Sequence, residues 1–200
     1  MAEIEYFYSA HSAFAYIGAQ ALRDICQRRG CRLVHRPVDL DPVIRAANGG
    51  VDRYRSPLHH AYFFGLEIER WAKFRDVPII DFRPTYHDNP LALPNGMIIA
   101  AEKLGADVDG LSQAILTAHW RDNANITDKG RLIKIAQTAE IDPGPLLEIA
   151  LSEDIQQQHR ENTEEAIARG VFGSPTYFYG GEMFYGQDRL AFLDRTCAGE

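Results

Sequence analysis

The sequence contains few cysteines and no pattern typical of metal ligands. Only Cys26, Cys31 and Cys197 occur among its 200 residues, and none belongs to a C-x-x-C pair. The seven histidines include no pair at i, i+4 spacing and no H-E-x-x-H motif. An odd cysteine count without paired spacing argues against a disulfide framework and against a structural zinc site. The sequence therefore predicts no bound metal.

The chain also lacks long apolar runs. No segment approaches the roughly 20 apolar residues that span a bilayer. The N-terminus, MAEIEYFY, has neither the basic region nor the apolar core of a secretion signal. We therefore expect a cytoplasmic protein without a membrane partner.

Positive charge is scarce. Lysine and arginine total 21 against 28 acidic residues, which gives a formal net charge of −7. Nucleic-acid backbones and anionic membranes favour lysine- and arginine-rich proteins, so neither is expected to bind. The 46% hydrophobic content can form a full core, in one domain or in one domain with a large insertion. Small molecules or other proteins remain as partners.

Residues 4–16, IEYFYSAHSAFAY, are the most informative stretch of the sequence. Residues 4–8 are β-branched or aromatic apart from one glutamate and predict a buried strand, whereas Ala13–Arg29 has helical spacing. Ser12 lies between them, at the predicted helix N-cap. Its hydroxyl either caps the helix or faces outward at the end of the strand, where α/β sheets bind ligands. Spacing alone favours the cap.

The remaining strands are predicted near the two ends of the chain. Residues 31–38 predict a second strand, which completes a right-handed βαβ unit. Thr176–Tyr179 and Glu182–Tyr185 flank Gly180-Gly181, a two-residue hairpin signal. A final amphipathic helix opens at residues 186–188.

The region between these strands is predicted to be helical. Asp41-Pro42 and Asn48-Gly49-Gly50 break the chain first, and residues 77–94 are more typical of a loop. Six helices are predicted, at residues 58–74, 95–104, 111–121, 128–138, 143–151 and 153–169.

This order of elements predicts an α/β fold. It matches a thioredoxin-like βαβ…ββα domain, formed by residues 1–40 and 170–200, with a large all-helical insertion formed by residues 41–169. The two terminal segments would form one sheet. The insertion would lie over the active edge of that sheet.

Motifs along nearly the whole chain resemble those of a known family. They are the serine-containing turn after the first strand, Glu67-x-x-Arg70-Trp71-Ala72, Trp120, the segment GVFGSPT at residues 170–176 and the segment EMFYGQDRL at residues 182–190. The last two, at their mutual spacing, are the specific ones. Together the motifs are similar to those of 2-hydroxychromene-2-carboxylate isomerases and kappa-class glutathione transferases, which belong to the DsbA-like branch of the thioredoxin superfamily.

The resemblance implies a catalytic role for Ser12. In this family it occupies the place of the first cysteine of a disulfide oxidoreductase, and Ala15 occupies that of the second, so no dithiol can form. The Ser12 hydroxyl would donate a hydrogen bond to the thiolate of bound glutathione, and the helix N-terminus would add positive potential. Both effects would lower the thiol pKa towards neutrality.

The resemblance also implies that Ser174 and Pro175 bind glutathione. Pro175 can simply end a loop before an edge strand. In the family it is a cis-proline opposite the serine turn. The backbone of Ser174 would then pair with the cysteinyl part of glutathione like an added strand.

The turn before the last helix is the second implied glutathione contact. Gln187 and Asp188 suit the first turn of a helix on general grounds. In the family this turn binds the γ-glutamyl end of glutathione, and Tyr185 and Gly186 would line the approach.

The chain departs from the family pattern at two positions. Ala13 follows the serine where proline is usual, which removes one constraint on the turn. His60 stands where a lysine usually meets the glycyl carboxylate of glutathione.

Five further residues are candidates for substrate binding. His11 adjoins the turn serine and could assist proton transfer, although an exposed loop histidine is an equal alternative. The positions similar to those that face the cleft in the isomerases are His35, Arg45, Tyr86 and Trp120. An arginine there would suit a substrate carboxylate. For Tyr86 and Trp120, core packing is the alternative.

The resemblance implies a glutathione-dependent cis-trans isomerase that acts on an aromatic or chromene keto acid by reversible thiolate addition. Two alternatives stay open. One is a kappa-like glutathione transferase or peroxidase, and the other is a redox-inactive thioredoxin-like protein that binds a peptide or partner chain. Relatives are commonly homodimers, so we expect a homodimer, to which the aromatic residues 62–64 could contribute.

Overall fold

Four strands form one mixed sheet in the computed structural model, which describes residues 1–52 and 54–200. The strands are β1 Ala2–Tyr8, β2 Cys31–Pro37, β3 Thr176–Tyr179 and β4 Glu182–Tyr185. Their order across the sheet is β2-β1-β3-β4. β1 and β2 are parallel, whereas β3 is antiparallel to both β1 and β4. The two terminal segments therefore form a single sheet, as predicted.

The strand register brings two connecting segments to the same edge of the sheet. Tyr8 pairs with Pro37 at the ends of β1 and β2. Phe7 pairs with Thr176, the first residue of β3. The turn that follows Tyr8 and the segment that precedes Thr176 therefore meet at this edge.

Helix α1, Ala13–Arg29, connects β1 to β2 with the predicted bounds. It ends at Gly30, whose φ of 64° is the left-handed conformation that glycine adopts without a steric cost. Side chains alternate across the sheet along β1. Tyr6 and Tyr8 pack in a large apolar core with α1, whereas Phe7 packs in a smaller core with Phe178 on the other face.

The region between β2 and β3 contains no strand among its described residues, so its helical character is confirmed. Its helices are α2 Leu40–Ala47, α3 Pro57–His60, α4 Glu67–Phe74, α5 Ala92–Leu104, α6 Val108–Trp120, α7 Lys129–Thr138, α8 Pro143–Ile149 and α9 Glu153–Ala168. Met97 and Leu111 of this region lie in the same large core as β1. The division into residues 1–40 with 170–200 and residues 41–169 as separate domains stays a prediction.

Two parts of this region differ from the sequence-based expectation. Helix α2 forms where Asp41-Pro42 was expected to break the chain, because a proline is tolerated in the first turn of a helix. The single helix expected at residues 58–74 is divided by a π-helical segment, Ala61–Leu66. π-helical turns often occur at functional sites.

After β4, the chain forms a 3-10 turn at Gln187–Arg189 and then helix α10, Leu190–Cys197. Within the described part of the chain, no helix combines the length and apolar character that crossing a membrane requires.

Gly18 of α1 allows this 3-10 turn to pack closely against the helix. A Cβ at position 18 would lie 2.6 Å from Cβ of Gln187 and 3.4 Å from the Tyr177 hydroxyl. Atoms that close must shift, so the small residue keeps the turn near the N-terminal half of α1.

We predict that Gly18→Ala destabilises the protein. Overpacking costs about 1–3 kcal/mol, and the better helix propensity of alanine offsets up to about 1 kcal/mol of it. Urea unfolding followed by circular dichroism measures the difference. The control is Gly65→Ala, because a Cβ at position 65 meets nothing within 4 Å. Equal stability of the Gly18→Ala variant and the wild type would contradict the close-packing argument.

Candidate functional site

The turn between β1 and α1 presents Ser12 at the sheet edge. Its backbone N–H donates to the Ser9 carbonyl at 2.9 Å, which closes the turn. Its Oγ accepts the Ala15 N–H at 3.3 Å, so the predicted capping role is confirmed. Ser12 is 7% exposed, so it is buried at the sheet edge.

Ser174 and Pro175 face this turn across the sheet edge. Ser12 Oγ donates to the Ser174 carbonyl at 3.3 Å, and the Ser9 N–H donates to Ser174 Oγ at 3.2 Å. The peptide bond between Ser174 and Pro175 is cis. Among the described residues, the Ser174 N–H has no hydrogen-bond partner. The edge therefore offers one free backbone donor beside the Ser12 hydroxyl, which is what an added peptide strand requires.

Asn95 on α5 fixes the serine turn from the opposite side. It is fully buried, and its Oδ1 accepts the Ala10 N–H at 3.2 Å. Its Nδ2 donates to the Val38 carbonyl at 3.3 Å and to His159 Nε2 at 3.0 Å. One amide thus connects the segments that follow β1 and β2. No motif marks Asn95 in the sequence, where its only signal is that it is a polar residue in an otherwise apolar helical segment.

Trp120, at the end of α6, is the second contact from the helical region. Its Nε1 donates to the His11 carbonyl at 2.8 Å, one residue before the serine. The indole is 6% exposed and also lines the largest cavity described below. Trp120 therefore packs in the core and borders that cavity, so the two interpretations of this residue are compatible.

The turn before α10 is fixed to the cis-proline and to α4. The Gly186 N–H donates to the Pro175 carbonyl at 2.9 Å, and Gly186 has a φ of 92°, which favours glycine. Gln187 is buried, and Arg75 donates to its carbonyl at 2.9 Å and to its Oε1 at 3.2 Å. Asp188 is partly exposed and pairs with the adjacent arginine. Nothing in the sequence pattern indicated the contact with Arg75.

Tyr185 lies over the segment that leads to the cis-proline. Its ring contacts Phe172, with ring centroids 4.4 Å apart. A Cβ at Gly173 would lie 2.5 Å from the Tyr185 ring, so glycine is the residue that fits there.

A cavity of about 690 Å³ lies between the π-helical segment, α4 and residues 77–83. Its wall is mainly aromatic and aliphatic, with cations at Lys73 and Arg83 and carboxylates at Glu69 and Asp81. Arg83 is paired with Asp88, whereas Lys73 has no ion-pair partner within residues 1–52 and 54–200. The lining residues are His60, Ala61, Phe64, Gly65, Ile68, Glu69, Ala72, Lys73, Val77, Ile79, Ile80, Asp81, Phe82, Arg83, His87 and Trp120.

Three of the predicted substrate residues lie away from this cavity. His35 faces the core from β2, where Nδ1 bonds with the Tyr8 hydroxyl at 2.8 Å and Nε2 with Asp109 at 2.7 Å. Arg45 belongs to an exposed ion pair on α2. Tyr86 lines a separate hollow of about 300 Å³. Of the five residues predicted to bind substrate, Trp120 alone is among those that line the 690 Å³ cavity. The side-chain alternation of β2 directs His35 away from it, and the packing of α2 does the same for Arg45.

His11 packs inward. Its ring lies against that of His87, with centroids 4.4 Å apart, and its Nδ1 is buried without a hydrogen-bond partner. The alternative of an exposed loop histidine is therefore wrong. Burial, together with His87 and His119, lowers the pKa of His11 to about 3, so this ring is neutral at physiological pH.

Ser12, Ser174 and Asp188 offer three different kinds of polar contact to a ligand. The Ser12 hydroxyl stands at a helix N-terminus, where a thiolate is favoured electrostatically. The free Ser174 N–H beside a cis-proline suits an extended peptide, and the Asp188 carboxylate suits an ammonium group. His60 lines the cavity and is exposed, so it is accessible to a carboxylate.

The sequence is similar to proteins of known family. The family model described as DSBA-like thioredoxin domain matches residues 3–198. The chain is 28% identical over 195 residues to 2-hydroxychromene-2-carboxylate isomerase from Sphingobium xenophagum. The aligned region covers 96% of this chain and 95% of that protein. It is 24% identical over 196 residues to the protein of the same name from Pseudomonas sp. (strain C18), with 98% and 90% covered.

The fold is also similar to solved structures. A 2-hydroxychromene-2-carboxylate isomerase superposes with a TM-score of 0.80 at 23% sequence identity, covering 98% of this chain and 95% of that one. These similarities confirm the predicted thioredoxin-like α/β fold and the resemblance on which the sequence analysis relied.

We predict that Asn95→Ala destabilises the protein by more than about 2 kcal/mol, because it leaves the buried Ala10 N–H and Val38 carbonyl unsatisfied. Urea unfolding provides the measurement. Asn89→Ala is the matched control, since Asn89 bonds with Asn125 and Thr127 in a half-buried loop, and should cost less than about 1 kcal/mol. Equal costs for the two variants would contradict the role given to Asn95.

Proposed function

Because the chain belongs to the DSBA-like thioredoxin domain family, we propose a function that uses this fold without its dithiol. The proposed function is glutathione-dependent cis-trans isomerisation of an aromatic or chromene keto acid of the 2-hydroxychromene-2-carboxylate type. One observation carries it: the Ser12 hydroxyl, at the N-terminus of α1, faces the cis Ser174–Pro175 bond. The names of the curated relatives add support.

Ser12 is proposed to bind and activate a thiol. Its hydroxyl donates to the Ser174 carbonyl at 3.3 Å, a long and therefore replaceable bond. A thiolate at the same position would receive a charge-assisted hydrogen bond and would also interact with the positive end of α1. Both interactions favour the charged form and lower the thiol pKa. Bound glutathione would supply the sulfur nucleophile for reversible addition to a conjugated carbon.

The segment from Ser174 to Asp188 is proposed to bind the peptide. The N–H of Ser174, which has no partner among the described residues, would pair with the cysteinyl backbone of glutathione. Asp188 would bind its ammonium group. Arg75 supports this segment from below through its two bonds to Gln187. His60 is the proposed contact for the glycyl carboxylate.

The cavity is proposed to bind the substrate. Its aromatic and aliphatic wall suits a ring system, and its volume of about 690 Å³ lies within the common range for small-molecule sites. Lys73, which has no ion-pair partner in the described part of the chain, is the proposed contact for the substrate carboxylate. Arg45, expected from the sequence in this role, lies on α2 outside the cavity lining.

We predict that Ser12→Ala lowers isomerase activity about 10- to 100-fold, because one hydrogen bond to a charged group contributes about 1.5–3 kcal/mol. Steady-state kinetics with glutathione and a chromene carboxylate measures the loss. Ser152→Ala is the matched control, since Ser152 caps α9 through the same type of bond to the residue three positions on. Comparable losses in both variants would indicate a general stability effect and contradict the proposal.

We predict that Asp188→Ala weakens glutathione binding at least about 10-fold, since it removes the proposed partner of the ammonium group. Isothermal titration calorimetry measures the affinity. Asp122→Ala is the control, because Asp122 also pairs with an adjacent arginine but is not among the residues of the proposed glutathione site. If glutathione does not bind the wild type, the alternative of a peptide-binding protein gains support. A separate incubation with glutathione and a chloro-dinitro arene tests the transferase alternative, which gains support if the glutathione conjugate accumulates.

A further inference from the structure

Three histidine rings stack between the serine turn and the cavity. His11 belongs to the turn, His119 to α6, and His87 to the loop between α4 and α5. The His87 ring centroid lies 4.4 Å from that of His11 and 5.2 Å from that of His119, at interplanar angles of 32° and 24°. Because the rings lie nearly parallel, their nitrogens do not converge on one point. Within the described residues, no group of this kind could bind a metal ion.

His87 is the member of this cluster that reaches the cavity. It lines the cavity wall, whereas His119 is fully buried behind it. His87 Nδ1 and His119 Nε2 lie 3.0 Å apart and share one hydrogen bond. The His87 side chain makes no other hydrogen bond among the described residues, so its Nε2 is available to a ligand. The Trp120 and His87 rings pack in a T-shaped arrangement with their centroids 5.5 Å apart, which limits the rotation of the His87 ring.

The shared proton determines which nitrogen of His87 is basic. The Ala124 backbone lies close to His119 and favours its protonated form, and His119 Nδ1 is buried without a hydrogen-bond partner among the described residues. With a proton on His119 Nδ1, His119 Nε2 accepts from His87 Nδ1. His87 Nε2 then carries a lone pair towards the cavity. We assign this tautomer to the histidine pair, and the NMR measurement described below tests the assignment.

We propose that His87 is an acid–base catalytic residue that opens a cyclic hemiketal in this cavity, with His119 as its positioning residue. The inference rests on the proposed function, because a 2-hydroxychromene-2-carboxylate is a cyclic hemiketal of an aromatic keto acid. The ring must open before a double bond of the side chain can change its geometry.

The step moves one proton and breaks one bond. His87 Nε2 takes the proton of the hemiketal hydroxyl, and the oxygen lone pair forms the keto C=O bond. The bond between that carbon and the ring oxygen breaks, and its electron pair goes to the ring oxygen. The His87 imidazolium then returns the proton to this oxygen as a phenol. His119 Nε2 stabilises the transient imidazolium by accepting its Nδ1–H, and no other reactant is consumed.

Burial and the nearby Arg83 keep His87 neutral before it reacts. Burial is the largest cause that lowers its pKa to about 4, and Arg83 acts in the same direction, while Asp88 opposes both. His11 and His119 are themselves neutral at physiological pH, since burial and their neighbours lower their pKa values to about 3 and about 4. The base form is therefore present above about pH 5. Activity should fall as the pH drops towards 4, where His87 takes up a proton.

The first test compares His87→Gln with the wild type at saturating glutathione. We expect kcat for the chromene carboxylate to fall about 100-fold or more, with KM changed less than about threefold and the limb of the pH profile near pH 4 lost. His119→Gln should lower kcat by less than His87→Gln does, and should shift the acidic limb of the pH profile to another pH. His59→Gln is the control, because His59 is exposed on α3 and does not line the cavity.

Two outcomes separate this inference from the proposed function. An inactive wild type contradicts the proposed function, whereas an active wild type with unchanged His87→Gln kinetics contradicts only the role of His87. A second measurement is independent of turnover: ¹⁵N NMR of the histidine side chains at neutral pH. We expect His87 in the Nδ1–H tautomer, and a change of that tautomer in His119→Gln. A proton on His87 Nε2 in the wild type would overturn the inference.

Discussion

The structure depends on a short turn, Ser9 to Ser12, whose backbone is bonded from several sides. Asn95 binds the Ala10 N–H from α5, and Trp120 binds the His11 carbonyl from α6. Ser174 meets the turn from the segment before β3. Each partner is distant in sequence, so the turn is formed by tertiary structure as much as by its own residues. Its geometry therefore requires both the sheet and the helical region.

This constraint gives one hydroxyl two functions. Ser12 caps α1, which orients Oγ towards the helix N-terminus, and the same Oγ faces the cis Ser174–Pro175 bond. A cysteine at this position, paired with a second cysteine at position 15, would perform electron transfer. Serine and alanine cannot. What remains is a hydrogen-bond donor in a positive potential, which suits a thiol supplied by a ligand.

Local sequence signals predicted the parts of the fold that have local causes. The bounds of α1, β3 and β4 are as predicted, because a capping serine, a helix-ending glycine and a Gly-Gly hairpin act within a few residues. Helix α2 was missed because proline was read only as a breaker. The π-helical segment Ala61–Leu66 has no distinct periodicity over six residues, so a continuous helix was the natural prediction.

The candidate site was predictable only where a motif marked it. The serine turn and the cis-proline segment were found from their motifs, whereas Asn95 and Arg75 act through contacts across the chain that no spacing reveals. The histidine stack joins positions 11, 87 and 119, which no spacing in the sequence connects. For His35 the motif-based prediction was wrong in the opposite sense. It was expected to face the cleft, but its ring bonds with β1 and α6 and so links these elements to β2 in the core.

The proposed function requires the Ser12 hydroxyl to stabilise the anionic form of a bound thiol. The most direct measurement is a pH titration of thiolate ultraviolet absorbance in the complex with glutathione, for the wild type and for Ser12→Ala. We expect a thiol pKa at least about one unit below the ordinary value of about 8.5 in the wild type, and a return towards that value in the variant. An unshifted pKa in the wild-type complex, or the same shift in both proteins, would contradict it.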